Sequence, residues 1–222
     1  MLPRLTLAAT CLCLWPLGAT AHPHVYMDAR LGLVYDAQGR LAAVDVEWAY
    51  DELYSLLIVS DLGLDPDGDG ALTAQEHAAL QGFDADWEPG FDGRLFLQAA
   101  GQRVALAGPE DFKAEYRDGR VVSRHRRPLA QPQDGATPLV VQAYDPEFYV
   151  DFTVPEAPGV TGRGDCTVAL EPGDPAAAPD AYRRALNAAL AQPGMEEEMV
   201  IVDIGAAGAE VIRVQCGEGR GS

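Results

Sequence analysis

The sequence is poor in basic residues and lacks the short motifs that mark common enzyme classes. Its 222 residues include 16 lysines and arginines against 34 aspartates and glutamates, which gives a formal net charge of -18. A chain this acidic repels the phosphates of nucleic acid and anionic membrane surfaces, and it attracts cations. No nucleophile elbow, phosphate-binding loop, HExxH pair or CxxC pair occurs in it. The composition therefore excludes nucleic acid as a partner and gives no support to an enzymatic activity.

Long apolar runs are also missing, apart from one near the N-terminus. Arg4 precedes an apolar run over residues 5–17, and the Ala-Thr-Ala sequence at 19–21 has the small-x-small pattern that signal peptidase accepts. The sequence therefore predicts a signal peptide over residues 1–21 and a mature chain that begins at His22. Because neither this run nor any later stretch is long enough to span a bilayer, we expect no integral membrane segment in the mature chain and a periplasmic or secreted location.

Cysteine is scarce, with four residues in the whole chain. Cys11 and Cys13 lie in the predicted signal peptide, so the mature chain keeps Cys166 and Cys216. In an oxidising compartment pairing is the default, and a disulfide between these two is expected. The alternative is a metal site made of the two distant thiolates.

The stretch with the most specific pattern is DPDGDGALTAQE at residues 65–76, which matches a twelve-residue EF-hand calcium loop. Oxygen-bearing side chains stand at loop positions 1, 3, 5, 9 and 12, as Asp65, Asp67, Asp69, Thr73 and Glu76. Gly70 permits the sharp turn that the loop needs at its sixth position, and the backbone carbonyl of Ala71 supplies the seventh. Calcium is therefore the predicted ligand. The alternative is an acidic Asp/Gly turn that is merely solvated.

A second set of candidate ligands begins the predicted mature chain. In an extended chain His22 and His24 project to the same side, and cleavage before His22 adds a free amine next to its ring. Pro23 has no amide proton to lose, which blocks the usual N-terminal copper or nickel clamp. A brace remains, in which the amine and ring of His22 and the ring of His24 hold copper, nickel, cobalt or zinc, with Tyr26 or Asp28 nearby. The alternative is a flexible tail that binds nothing.

Alternation of apolar and polar residues predicts a β-hairpin near the N-terminus. Apolar residues fall on the odd positions of 25–35, and after a turn at Gly39 the apolar residues fall on the even positions of 44–50. Asp51 is expected to cap the helix that enters the calcium loop, and residues 73–80 are expected to form the exiting helix.

Short strand-like segments separated by Gly or Asp/Gly turns dominate the rest of the chain, after a loop around Trp87. They span residues 94–99, 103–107, 112–116, 121–127, 139–145, 148–154 and 166–170. A loop is predicted over 155–164, a helix over 181–190 opened by Asp180, and further apolar runs over 199–204 and 210–216. Such spacing favours antiparallel sheets over a parallel α/β core. The predicted fold class is α+β: a mainly antiparallel, sandwich-like sheet with an inserted EF-hand helix-loop-helix and a C-terminal helix.

The predicted domain organisation is simple. Residues 22–216 form one globular α+β domain that contains the EF-hand at about 51–82, and residues 217–222 form a flexible tail.

Other polar residues carry weaker signals. His125 lies in the basic run Arg124 to Arg127, for which a solvated strand face is expected rather than an anion site. Asp145 and the pair Asp51 and Glu52 are candidates for carboxylates that bind or orient a metal ligand.

Four segments together resemble a bacterial family of uncharacterised secreted proteins. They are HPHVYMDA after the predicted leader, EWAYDELYS, YDPEFYVDF and the closing GAEVIRVQC, and the calcium loop lies between the second and third. Members of that family are often labelled periplasmic components of an ABC-type transport system and are commonly encoded beside nickel/cobalt-type transporters. The resemblance spans nearly all of the mature chain and implies a role in transition-metal handling at an inner-membrane transporter. It carries over no catalytic residues.

The function expected from these observations is that of a periplasmic metal-binding accessory for a divalent transition-metal transporter, with a structural calcium site. One rival is a redox enzyme in which a copper brace at His22 activates oxygen. The other is a purely structural β module stabilised by calcium.

Overall fold

The computed structural model describes residues 23–194 and 200–217. The strands are β1 (Val25–Tyr35), β2 (Leu41–Tyr50), β3 (Leu95–Ala99), β4 (Gln102–Val104), β5 (Glu110–Arg117), β6 (Arg120–Gln133), β7 (Leu139–Ala143), β8 (Val150–Thr153), β9 (Gly159–Thr161), β10 (Cys166–Glu171) and β11 (Val211–Cys216). The helices are α1 (Glu52–Asp61), α2 (Ala74–Leu80) and α3 (Ala177–Leu190). The protein is therefore mostly β-sheet with three helices in the described residues, which confirms the predicted α+β class.

The strands form two sheets. In the first sheet the order is β5-β6-β2-β1-β8, and β9 also pairs with β1; in the second sheet the order is β10-β11-β7-β3-β4. The pairs are antiparallel except where β1 meets β8 and β9, which run parallel to it. The sheets are thus mainly antiparallel, as predicted, but the first sheet is mixed at one edge of β1.

The segment predicted as a loop over 155–164 contains β9, so that part of the prediction is wrong. β8 pairs only with residues 25–28 of β1, so the C-terminal half of β1 is free to pair with another strand along that edge. Residues 159–161 pair with residues 32–34 there. Because β1 is eleven residues long, two short strands fit along its edge.

The predicted hairpin of β1 and β2 is confirmed. The odd positions of β1 are buried throughout, from Val25 to Tyr35, and Val46, Trp48 and Tyr50 of β2 are buried as well. Their side chains face a core that both sheets share. Leu33 and Val44 of the first sheet and Leu97, Val141 and Ile212 of the second are each at most 1% exposed. Burial of these aliphatic side chains against one another holds the two sheets face to face.

The predicted start of the third helix needs correction. The helix begins at Ala177, with Ala176 as its N-cap residue, rather than at residue 181 with Asp180 as the residue that opens it. Asp180 instead pairs with Arg183 on the exposed surface of the helix. Residues 200–204 form no strand: Ile201 is exposed, and the segment is attached through the amide of Ile204, which donates to the carbonyl of Pro146. Met199 lies outside the described residues.

Within the described residues, no helix has both the length and the apolarity required to cross a bilayer.

Cys166 and Cys216 form the predicted disulfide. They face each other in the register of the antiparallel pair β10 and β11, and their sulfurs are bonded at 2.00 Å. A bonded sulfur pair offers no thiolate, so the alternative of a two-thiolate metal site is wrong. The bond joins residues separated by 50 positions and encloses α3.

Removal of this disulfide is expected to lower the free energy of unfolding by about 4 kcal/mol, because a loop of this length loses that much closure entropy in the unfolded chain. The variants are Cys166→Ala, Cys216→Ala and the double substitution, measured by urea denaturation with reductant present for the single variants. Each single variant and the double variant should lose the same amount, since each breaks the same bond. If the double variant instead lost the sum of the two single losses in unfolding free energy, the packing of the two side chains, rather than the bond, would account for the destabilisation.

Candidate metal centre

The loop over residues 65–76 is held between two helices that are attached to the sheet. At the start of α1 the Asp51 carboxylate accepts from the Tyr54 amide at 2.8 Å and, with its other oxygen, from the Tyr26 amide of β1 at 2.8 Å. Asp51 is therefore the predicted helix cap, and it also ties the helix to the first strand. Because both of its carboxylate oxygens accept from backbone amides, the geometry favours this capping role over the binding of a metal ion.

The far end of the helix pair is attached to β5. Gln81, directly after α2, donates to the Ala114 carbonyl at 2.5 Å and accepts from the Ala114 amide at 3.0 Å. Val59 of α1, Leu64 just before the loop and Leu80 of α2 are buried in the shared core. The loop is thus the exposed connection between two anchored helices.

Three carboxylates converge inside the loop. Asp65, Asp67 and Asp69 each offer an oxygen, and these oxygens all lie within 4.8 Å of one another. Asp65 accepts from the amides of Asp69 at 3.0 Å and Gly70 at 3.1 Å, and Asp69 accepts from the Ala71 amide at 2.8 Å. Gly70 has a φ of +78°, a conformation that a residue with a side chain rarely adopts. The chain therefore folds back on itself where the sequence predicted the turn.

Glu76 lies beside this group without joining it. Its Oε2 accepts from the Thr73 amide at 2.7 Å and from the Thr73 hydroxyl at 2.8 Å, while the Glu76 amide donates back to that hydroxyl at 3.3 Å. This reciprocal arrangement is a capping box at the start of α2. The structure thus brings together three of the predicted ligand side chains and places Thr73 and Glu76 in the cap next to them.

Electrostatics in the loop favour a bound cation. The charge of Asp69 raises the pKa of the Asp67 carboxyl, because two carboxylates this close repel each other. Hydrogen bonds from Thr73 lower the pKa of Glu76, and the Asp65 amide adds to the effect in the same direction. The carboxylate of Glu76 therefore lies near the backbone of Asp65, and the loop holds mutually repelling charges that a cation would neutralise.

The N-terminal candidate site is described only in part, since His22 lies outside the described residues. The exposed His24 directly precedes β1: its amide donates to the Tyr149 carbonyl at 2.9 Å, and its ring centroid lies 4.8 Å from that of Tyr149. Tyr26 on the same face of the strand is 55% exposed. Asp28 is less suited to a ligand role than the sequence suggested, because its carboxylate pairs with Arg120 at 2.7 Å.

The expectation that residues 124–127 form a solvated strand face is half wrong. Arg124 and Arg126 do lie on the outer face of the first sheet, where they pair with Glu47 and Asp45 at 2.6 Å each. His125 is 3% exposed, and its ring meets those of Trp48 and Trp87 edge to face and lies tilted by 31° to that of Phe112. A strand of four polar residues gives no apolar alternation, so its sequence could not show which side turns inward.

Arg127 is buried on the same inner face and is satisfied by backbone. Its guanidinium donates to the carbonyls of Ala107 at 3.1 Å and Asp92 at 2.7 Å, and it lies 4.8 Å from the centroid of Trp87. Burial, and to a smaller degree the charge of Arg127, lowers the pKa of His125 to about 3. His125 is therefore neutral at neutral pH, and neither residue is presented to an external anion.

Asp145 has a structural role. It is 4% exposed, accepts from the amides of Glu147, Tyr149 and Val150, and pairs with Arg94 at 3.1 Å. These bonds hold the turn that leads into β8, so the carboxylate has few lone pairs left for a metal.

Sequence analysis missed an aromatic cavity that includes Asp84 and Trp87, in a connection predicted only as a loop. The signal that could have found it is the density of Trp and Phe in an otherwise acidic, Gly- and Pro-containing segment, since a solvated loop has no need for large aromatic side chains.

Comparisons with known proteins place the chain in a family without assigning an activity. The family described as "Protein of unknown function (DUF1007)" matches residues 7–216. The chain is 36% identical over 78 residues to an uncharacterized 15.5 kDa protein in the trpE 3' region of Spirochaeta aurantia, which covers 33% of this chain and 56% of that protein. The chain thus spans about half the length of the curated relative it matches. No solved structure matches the chain.

The buried His125 is expected to make the protein less stable in mild acid. Its pKa falls from 6.5 to about 3 on folding, so between these values the unfolded chain binds a proton that the folded chain does not. Stability then falls as the pH falls through this window, by about 2 to 3 kcal/mol between neutrality and about pH 4.5. His125→Phe keeps an aromatic ring in the site and removes the titration. Urea denaturation at both pH values should show a shallower pH dependence for the variant; equal pH dependences would contradict the assignment of a neutral, buried imidazole.

Proposed function

The chain belongs to the DUF1007 family, whose description names no activity, and we propose from its own residues that it is a periplasmic metal-binding protein. In this proposal the loop over residues 65–76 is an EF-hand that holds calcium for stability, and the protein serves as an accessory to a transition-metal transporter. The observation that carries the proposal is the convergence of Asp65, Asp67 and Asp69 within 4.8 Å in a loop with EF-hand spacing.

Calcium fits the chemistry of this loop. A hard divalent cation prefers several oxygen ligands in a flexible shell, and three carboxylates supply them from one side. Glu76 stands at the start of α2 with its carboxylate close to the Asp65 amide, as its lowered pKa reflects, so it needs only a local movement to reach a shared ion. Salt and water screen the charges of this exposed loop strongly, so we expect it to bind calcium with the modest affinity typical of extracellular proteins.

The role proposed for calcium is structural rather than regulatory. A sensor needs helices that change their packing when the ion binds. Here α1 is tied to β1 through Asp51, and α2 is tied to β5 through Gln81. A helix pair fixed at both ends has little freedom to open, so bound calcium would add stability without a large rearrangement.

The proposal of secretion rests on the leader pattern and on the disulfide. Residues 1–21 lie outside the described residues, but the Cys166–Cys216 bond is of the kind that persists in oxidising compartments. The proposed transporter partner comes from the family resemblance, and the transition-metal site from His22 and His24. Support for the latter is that β1 pairing fixes His24 at an exposed position beside Tyr149.

Calcium is expected to raise the thermal stability of the protein. With a Kd on the order of 10⁻⁴ to 10⁻³ M, millimolar calcium would add about 0.4 to 1.4 kcal/mol by mass action. Glu76→Gln should remove this increment, because it removes a ligand charge while a glutamine can still serve in the capping box. Glu52→Gln, the same change outside the loop, is the matched control and should keep the full increment. A calcium response of equal size in Glu76→Gln, measured by calorimetric unfolding, would show that the loop does not bind the ion as proposed.

The processed N-terminus is expected to bind copper or nickel near stoichiometrically at neutral pH and to lose affinity as the pH falls and the imidazoles become protonated. Isothermal titration of three forms tests this: the secreted protein, a form with one residue added before His22, and His24→Ala. The added residue displaces the amine but leaves both rings, so a sharp loss in that form identifies a brace. Indistinguishable binding by all three forms would rule out a site at the N-terminus, and calcium binding by the loop would be unaffected by that result.

A further inference from the structure

An open cavity of about 490 Å³ lies where β1, β2 and α1 meet the connection between α2 and β3. Seven of its sixteen lining residues are aromatic, among them Trp48, Tyr54, Trp87 and Phe91. The rings of Trp48 and Trp87 stack with centroids 5.8 Å apart, and Phe91 meets Trp87 edge to face at 5.0 Å. The wall therefore presents preorganised aromatic surface that the core does not fill.

The charges around this aromatic wall are mainly negative. Asp84, Asp86 and Glu88 line the cavity from one side and Glu147 from another. Arg94 is the basic residue among those that line it, and its guanidinium pairs with the buried Asp145 at 3.1 Å. Arg94 also pairs with Glu147 at 3.9 Å, so this cation is held at the Asp145 and Glu147 side of the cavity. The acids on the other side, Asp84, Asp86 and Glu88, have no basic partner among the described residues that line the cavity.

Asp84 is the least satisfied of these acids. Its Oδ2 is buried and has no hydrogen-bond partner among the described residues. Burial raises the pKa of this carboxyl, against smaller opposing effects of hydrogen bonding to Ser123 and Tyr50. A carboxylate with one unpartnered, poorly solvated oxygen next to an unfilled cavity is stabilised when a hydrogen-bond donor or a positive charge comes close to it.

The protein already uses its aromatic faces to hold cations at this place. The guanidinium carbon of Arg94 lies 5.3 Å from the ring centroid of Phe91, and that of Arg127 lies 4.8 Å from that of Trp87. Both distances are within the range of cation–π attraction. The quadrupole of these rings attracts positive charge at the ring face, and the nearby carboxylates attract it as well.

We propose that this cavity binds an organic cation, an ammonium or quaternary ammonium group carried on an apolar body. Aromatic faces and carboxylates at one site are the combination that recognises such a group. A calcium ion would find too few oxygens on an aromatic wall, an anion would be repelled, and a neutral apolar molecule would leave Asp84 uncompensated. The site is separate from the loop carboxylates, none of which lines the cavity.

The experiment is a titration of the purified protein with benzyltrimethylammonium, with excess calcium present so that the loop is filled. Two of the three tryptophans of the chain, Trp48 and Trp87, line the cavity, so tryptophan fluorescence reports on its occupancy, and calorimetry gives the affinity. Choline and its tert-butyl analogue, which has the same shape without the charge, form the matched ligand pair. We expect saturable binding of both cations and at least about tenfold weaker binding of the neutral analogue.

Two variants and a control locate the site. Asp84→Asn keeps the shape of the side chain and should weaken the binding of benzyltrimethylammonium about tenfold. Phe91→Leu, at a partly exposed position, removes one aromatic face and should weaken it several-fold, which provides a test if Asp84→Asn does not fold. Asp118→Asn removes the same charge in the exposed turn between β5 and β6 and should leave binding unchanged.

Three results would overturn the proposal. They are equal affinity for choline and its neutral analogue, an equal loss in Asp118→Asn and Asp84→Asn, and no saturation up to about 10 mM benzyltrimethylammonium. The first would indicate a merely apolar cleft, and the second a general attraction of cations to an acidic protein.

Discussion

The structure depends on the pairing of β1 along both of its edges. β2 covers one edge in antiparallel register, while β8 and β9 share the other in parallel register. β1 is thus paired on both sides over most of its length and buries its odd-numbered face, so its position is well determined. Its first residues then position everything of functional interest: the amide of Tyr26 binds the cap of α1, and that of His24 binds the Tyr149 carbonyl. The helix pair, the N-terminal histidine and the aromatic cavity are all attached to this one end of the strand.

Charge is distributed unevenly over this framework. On the outer face of the first sheet the Glu47 carboxylate meets Arg30, Arg117 and Arg124, and Asp45 meets Arg126. Each exposed pair is worth little stability by itself, but together they use up many of the few basic side chains. Among the other acids, one group lies in the loop over residues 65–76 and another lines the aromatic cavity. These two acidic sites differ in their chemistry. The loop offers only oxygen ligands, whereas the cavity places carboxylates beside aromatic rings, so the two sites suit different cations.

The loop and the cavity also differ in how far apart their residues lie in the sequence. The loop takes its candidate oxygens from twelve consecutive residues, so spacing and turn residues were sufficient to predict that Asp65, Asp67 and Asp69 would lie together. Even so, the position of Glu76 in a capping box with Thr73 adds a feature that spacing alone did not show. The cavity takes its wall from β1, β2, α1, the α2–β3 connection and the turn before β8. The aromatic residues near Trp87 mark one part of the wall, but no window of the sequence contains the segments that complete it.

What the sequence by itself determined is whatever depends on periodicity and local chemistry. Alternation in residues 25–35 predicted the buried face of β1, Asp51 predicted a helix start, and the two cysteines outside the predicted signal peptide predicted the disulfide. Only the tertiary structure decided which polar groups are buried. His125 and Arg127 face inward because rings and backbone carbonyls from distant segments meet them there, while Arg124 and Arg126 meet carboxylates outside. Likewise β9 and the start of α3 depend on neighbours far away in the chain. A residue's type limits its local conformation, but its burial depends on the partners that the fold brings to it, and for polar residues those partners lie outside any local pattern.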